Sequence, residues 1–438
     1  MKRTIAFILT LVMMIIMSMP SLSVSAADFG FTTDITADYV YMEELNSGTV
    51  VHSVRAQEQV PPASLTKIMT YIVVAENIPD LENTYITVTS DMLATMDPES
   101  SVMGLSHHID ADGTEVSVLE LLYGLMLPSG NDAALALAHY VGNGNIDNFV
   151  DMMNRKAGQL GCSSTHFVNP HGLHDPMHYS TAYDLAVMTK YALDKPYFRE
   201  IVKSEFYMVK SLSSIIETTN YLIDPDYPQY YRSYATGVKT GYTDQAGKCL
   251  ISTAEKDGYE YLCIVLGTPF SYAENVNYAM LDTGKLYDWA FENIFTTPIL
   301  KQNEIVKTLG IEFVWGNDPV EIIPEQEVSA LLPKNYDKSL VTTKIDLPEY
   351  LVAPVEKGEV VGSITVCYDG EEVGTTNLVS GMTVERDQSN YLMHRMIGFV
   401  VNNIIWIVIV LAVVVAVAVF YINDRIQRKK RQARRRYR

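Results

Sequence analysis

Cysteine is scarce in this 438-residue chain: Cys162, Cys249, Cys263 and Cys367 are the four, and no two share a CxxC spacing. No disulfide framework is implied. Cys249 and Cys263 lie on strand-like runs either side of Asp257-Gly258. A tight hairpin there sets Cys263 opposite Ser252 and not opposite Cys249, so both thiols read as core residues. Basic charge is also scarce, with 33 Lys and Arg against 52 Asp and Glu. Nine of those basic residues crowd the stretch Arg425–Arg438, beside the single acid Asp424. The rest of the chain is therefore more acidic than its net charge of −19 suggests, which excludes a nucleic-acid binder. Internal repeats are absent, and the basic tail is the one low-complexity segment. At 48% hydrophobic and 10% aromatic content, a disordered or fibrous chain is excluded.

Long apolar runs occur at both ends. Lys2 and Arg3 precede the run Ile5–Met19, and Ser25-Ala26-Ala27 supplies small residues for cleavage, so residues 1–27 read as a secretory signal peptide. At the other end, Met396–Asn423 carries no charge over 28 residues. At ~1.5 Å rise per residue that exceeds the ~30 Å hydrocarbon thickness of a bilayer. Its most apolar part, residues 404–421, reads as a transmembrane helix, preceded by a linker at 389–403 and followed by the basic tail 422–438. Lys and Arg beside a span stay on the cytoplasmic side, which places the body, residues 28–388, outside.

Within the body, Tyr39–Met42 and Thr49–His52 flank Asn46-Ser47-Gly48 and predict a β-hairpin. Pro61-Pro62-Ala63-Ser64 opens a helix in which Leu65, Ile68, Met69, Ile72 and Val73 mark one buried face. Helical segments follow at 119–126, 132–140, 146–160 and 181–192. Strands return at 235–239, 248–254 and 259–267, and a terminal helix covers 275–291. Strands, then inserted helices, then strands predict a layered α/β domain over residues 28–297, its sheet completed by distant parts of the chain. From 298 to 388, short β-branched runs broken by Gly, Pro and Asp-Gly predict a small all-β domain.

Ser64 and Lys67, at i and i+3, share one helix face. A serine hydroxyl is a weak nucleophile, and a partly desolvated lysine amine can take its proton. Ser129-Gly130-Asn131 sits in a loop after an apolar helix, and Lys239-Thr240-Gly241 ends a strand. The ordered trio Ser-x-x-Lys, Ser-x-Asn, Lys-Thr-Gly is the signature of serine enzymes that recognise penicillin. His166, His171, His174 and His178 with Asp175 suggest a rival zinc cluster, but Pro170, Gly172 and Pro176 disfavour the helix that would align its ligands. The expectation is no metal and no cofactor.

From about residue 35 to 390 the chain resembles the D-alanyl-D-alanine carboxypeptidases, the low-molecular-weight penicillin-binding proteins. Besides the trio, the likeness rests on Pro62–Thr70, Asn169–Leu173, Ser180–Ala186, Gly237–Thr243 and Ala246-Gly247. The resemblance implies the penicillin-recognising serine-enzyme fold, an antiparallel sheet flanked by helices with a mainly helical insertion, then a β-rich domain and a membrane anchor. It implies that Ser64 attacks the bond between the two terminal D-alanines of a peptidoglycan stem peptide, with Lys67 as base and Ser129 as proton relay. Asn131 would orient the substrate amide, while Lys239 and Thr240 would hold the terminal carboxylate. Gly241 would let the strand approach the substrate, and the amides of Ser64 and Tyr242 would form the oxyanion hole. β-Lactams would be covalent inhibitors. Where relatives carry an arginine as second carboxylate anchor, Thr268–Ala279 has none. A transpeptidase, an endopeptidase or a β-lactamase using the same motifs, or a wall-binding protein with a vestigial site, remain as alternatives.

Overall fold

The computed structural model describes residues 29–109, 113–271, 276–316 and 318–436. The expected signal peptide lies outside these residues. Two compact units are present: the first runs to Thr296 and includes Leu331–Tyr336, and the second holds the rest.

The first unit is built on a five-stranded sheet. Its strands are β1 (Tyr39–Glu44), β2 (Thr49–Val54), β3 (Ala235–Thr243), β4 (Gly247–Lys256) and β5 (Tyr259–Thr268), in the spatial order β2-β1-β5-β4-β3. The hairpin expected around Asn46-Ser47-Gly48 forms, and β1 pairs antiparallel with β5, Val40 facing Val265. Distant parts of the chain thus complete the sheet. The turn at Asp257-Gly258 sets Ser252 opposite Cys263, as its hairpin register predicts. All four cysteines are buried free thiols.

Both faces of the sheet are buried, which explains why β5 reads as an uninterrupted apolar run. Its Leu262, Ile264 and Leu266 point into one core with the helices of the insertion, whereas Tyr261, Cys263 and Val265 point into a second core. The insertion supplies α1 (Lys67–Asn77), α2 (Val118–Met126), α3 (Asn131–Val141), α4 (Ile146–Gln159) and α5 (Ala182–Leu193), close to the expected spans. Helix α6 (Tyr278–Asn293) covers the second core with Met280, Leu286, Tyr287 and Ala290.

Three sequence expectations need correction. The stretch from Ala63 starts as a 3-10 turn, and α1 begins only at Lys67. Moreover, α1 is buried all round from Lys67 to Val74 and not on one face, because it passes through the middle of the first core. Likewise, Lys239-Thr240-Gly241 does not end its strand: β3 continues to Thr243, still paired with β4 through Gly241 opposite Cys249.

The second unit contains a five-stranded sheet in which Val360–Tyr368 and Glu371–Ser380 form a hairpin turned by Asp369-Gly370, both with positive φ. Two helices end the described chain, α7 (Gln388–Asn402) and α8 (Ile404–Arg436). The expected linker is thus helical, because Asp387 caps it by accepting hydrogen bonds from the amides of Ser389 and Asn390. Residues 404–431 of α8 are long and apolar enough to cross a membrane.

Asp282 of α6 pins the segment before β1. Fully buried, its Oδ2 accepts from the Thr36 amide at 2.7 Å, the Thr36 hydroxyl at 2.8 Å and the Ala37 amide at 3.0 Å. Asp282→Ala leaves both amides without that acceptor and should cost roughly 2–4 kcal/mol, read as a lowered midpoint in urea.

Candidate active site

A cleft of about 1050 Å³ in the first unit is lined by Ser64, Ser129, Asn131, Thr240, Gly241 and Tyr242, among others. The three motifs, spread from Ser64 to Gly241 in sequence, therefore border one space. Lys67 and Lys239 lie beneath it, 0% and 1% exposed.

Ser64 sits on the 3-10 turn Ala63–Thr66, which leads directly into α1 and sets Lys67 one turn further on. The Lys67 amine lies 3.1 Å from Ser64 Oγ, 2.7 Å from Asn131 Oδ1 and 2.8 Å from the His171 carbonyl. Two of these neighbours are pure acceptors and take two N–H bonds. A neutral amine then has its lone pair left for the third neighbour, the serine hydroxyl. Electrostatics favour that neutral form. Burial pushes the Lys67 pKa well below its ordinary value, the nearby Lys239 ammonium pushes it further, and Asp132 opposes in part.

The loop Asn169–Leu173 holds this arrangement from the far side. Thr70 of α1 donates to the Pro170 carbonyl at 2.6 Å, and Asn169 Oδ1 accepts from the Gly172 amide at 2.6 Å. Gly172 has φ +90°, and a Cβ there would stand 1.9 Å from the Ala63 carbonyl oxygen. Only glycine lets the loop close on the turn that bears Ser64. His178 completes the buttress. Its Nδ1 accepts from the Val168 amide, so its Nε2 donates to Thr66 Oγ1 at 2.7 Å, and that hydroxyl donates to the Ala63 carbonyl. Burial lowers His178 to about 4 and His171 to about 3, so both are neutral at pH 7. Among the described residues no group of three or more His, Cys, Asp or Glu is placed to hold a metal ion. His178 braces the turn, and His171 Nδ1 accepts from the Leu173 amide within its own loop.

Ser129 adopts φ +64° just before α3, its buried Oγ without a hydrogen-bond partner among the described residues. Asn131 opens α3, and its neighbour Asp132, fully buried, accepts from the amides of Met103, Gly104 and Leu105 at 2.9–3.0 Å. Asp132 thereby ties the segment bearing Ser100 and Ser101 to the cleft wall. Its place in the first turn of a helix, directly after Asn131, is the signal that could have pointed to it.

On the opposite wall, β3 is the edge strand of the sheet. At Gly241 a Cβ would lie 3.3 Å from Ala63, Leu65 and Pro62 atoms, so the glycine also lets the strand press against the Ser64 turn. Thr240 Oγ1 is 2.5 Å from Thr219 Oγ1, a partner that sequence reasoning missed because nothing near Thr219 marks it. Tyr221, Tyr227 and Tyr230 extend this wall, the first two rings stacked at 3.7 Å.

The Lys239 amine donates to the Thr240 carbonyl at 3.1 Å, and burial lowers its pKa from 10.5 to about 7. Between about pH 7 and 10.5 the unfolded chain then binds a proton that the folded chain has released, so this group's contribution to stability rises with pH across that window. Lys239→Met should therefore melt higher than the parent protein at about pH 6, and the gap should narrow by about pH 9 in calorimetry. An equal gap at both pH values would mean that Lys239 is not a buried titrating charge.

A family model described as D-alanyl-D-alanine carboxypeptidase, peptidase S11, matches residues 23–269, and one described as penicillin-binding protein 5, C-terminal domain, matches residues 295–386. The chain is 32% identical over 340 residues to the D-alanyl-D-alanine carboxypeptidase DacF of Bacillus subtilis, covering 75% of this chain and 80% of that one. It is 31% identical over 391 residues to DacA of Haemophilus influenzae, 86% of this chain and 92% of the other. The fold is similar to that of penicillin-binding protein 5 from Haemophilus influenzae, with a TM-score of 0.58 and 29% identity over 81% of this chain and 99% of that one.

Proposed function

Because the chain belongs to peptidase family S11 and is a serine-type D-alanyl-D-alanine carboxypeptidase, we propose a specific division of labour among its cleft residues. Ser64 Oγ attacks the carbonyl carbon of the penultimate D-alanine of a stem pentapeptide while its proton passes to the neutral Lys67 amine. The observation that carries this reading is the fully buried Lys67 amine, 3.1 Å from Ser64 Oγ and bound to two pure acceptors. The oxyanion forms against the backbone amides of Ser64 and Tyr242. Ser129, whose buried hydroxyl has no other partner among the described residues, passes the proton to the leaving D-alanine nitrogen. Water then cleaves the acyl-enzyme and restores Ser64. Lys239 and Thr240 draw in the terminal carboxylate, and Asn131 orients both the peptide amide and Lys67.

A β-lactam follows the same first step, with the ring amide opened by Ser64, and leaves a slowly hydrolysed acyl-enzyme. Ser64→Ala should abolish both D-alanine release and covalent labelling by a fluorescent penicillin, with an unchanged melting temperature, because one hydroxyl contributes little to stability. Labelling at full strength in that variant would place the nucleophile elsewhere.

Anchoring completes the proposal. Helix α8 crosses the cell membrane once, the catalytic unit stands outside, and the basic residues behind the span stay in the cytoplasm. Protease added to intact cells should remove the catalytic unit and spare a tag placed after Arg438. Loss of the tag in unbroken cells would reverse the orientation.

A further inference from the structure

Resting on the assignment of carboxylate to Thr240 and oxyanion to Tyr242, β3 acts as a ruler for the substrate. The peptide's C-terminus lies beside Thr240 and its scissile carbonyl beside Tyr242. Upstream residues must continue past Tyr242 toward the β3–β4 turn at ~3.3 Å per residue. The first of them, the third residue of the stem, reaches the Tyr242 side chain.

That side chain is bracketed by opposite charges. The Tyr242 hydroxyl donates to Asp244 Oδ1 at 2.8 Å. Across the hairpin, Lys248 is the direct pairing partner of Tyr242, and its amine lies 4.1 Å from the Tyr242 ring centroid. Tyr242 and Asp244 are exposed, Lys248 is half-buried, and all three line the cleft. Among the described residues lining the cleft, Lys248 carries the only ammonium or guanidinium, and Lys67 and Lys239 are buried below. Leu173 lines the same cleft and offers an apolar surface.

We propose that Tyr242, Asp244 and Lys248 form a subsite for a third stem residue whose side chain ends in both a carboxylate and an amine. The tyrosine ring takes the methylene chain, Lys248 the carboxylate and Asp244 the amine. A side chain ending in an amine alone satisfies Asp244 but brings its charge toward the Lys248 ammonium. Burial lowers the Lys248 pKa, so a carboxylate partner gains more there than at an open surface.

The test uses the full chain in detergent and three pentapeptides that differ only at the third position: meso-diaminopimelate, L-lysine or L-norleucine. Wild-type enzyme should release D-alanine from the diaminopimelate peptide with a kcat/KM about tenfold above that for the lysine peptide, equivalent to ~1.4 kcal/mol. Lys248→Met should shrink this ratio to below about threefold, Lys248→Arg should keep most of it, and Asp244→Asn should lower the diaminopimelate rate relative to norleucine. A wild-type ratio near one, or a parallel fall on all three peptides in Lys248→Met, overturns the subsite. Absence of D-alanine release from every peptide overturns instead the catalytic reading on which it rests.

Discussion

The site depends on keeping one lysine amine dry and fully occupied. Lys67 opens α1, a helix buried on every side from Lys67 to Val74, where a permanent ammonium is expensive and a neutral amine is not. Its three hydrogen-bond neighbours come from the Ala63–Thr66 turn, from the start of α3 and from the Asn169–Leu173 loop. Each of those segments must be in place at once, or the amine gains water and loses its depressed pKa. Much of the surrounding architecture serves that condition.

Close approach is the means. Gly172 and Gly241 press a loop and a strand against opposite parts of the Ala63–Thr66 turn, each where a methyl group would meet backbone or core atoms. Thr66, held by the neutral His178, stiffens the turn from beneath. Of the four histidines that resemble metal ligands in the sequence, His171 and His178 are packing residues with directional hydrogen bonds. The low pKa values of His171 and His178 follow from burial, which also lowers that of Lys67.

The two buried lysines differ in surroundings. Lys67 is surrounded by acceptors, whereas Lys239 has the neighbouring Thr240 carbonyl and little else to offset desolvation. Their proximity also couples them, since the charge on Lys239 helps to keep Lys67 neutral. On the proposed mechanism this suits their roles, one as a base and the other as a cation completed by the substrate carboxylate.

Local chemistry was legible in the sequence. The three motifs, the hairpins at Asn46-Ser47-Gly48 and Asp257-Gly258, and the helices of the insertion depend on neighbours within a turn or two, so spacing and turn residues suffice to find them. The register that puts Cys263 opposite Ser252 follows from the turn position for the same reason. Tertiary structure alone decided what each motif touches. It buried α1 on all sides, turned the His171 carbonyl toward Lys67, paired Thr240 with Thr219, and carried β3 through Lys239-Thr240-Gly241 to the turn that holds Asp244 and Lys248. These contacts join residues tens to more than a hundred positions apart. No local propensity encodes them, because they arise only when the sheet closes β1 onto β5 and brings the ends of the catalytic unit together.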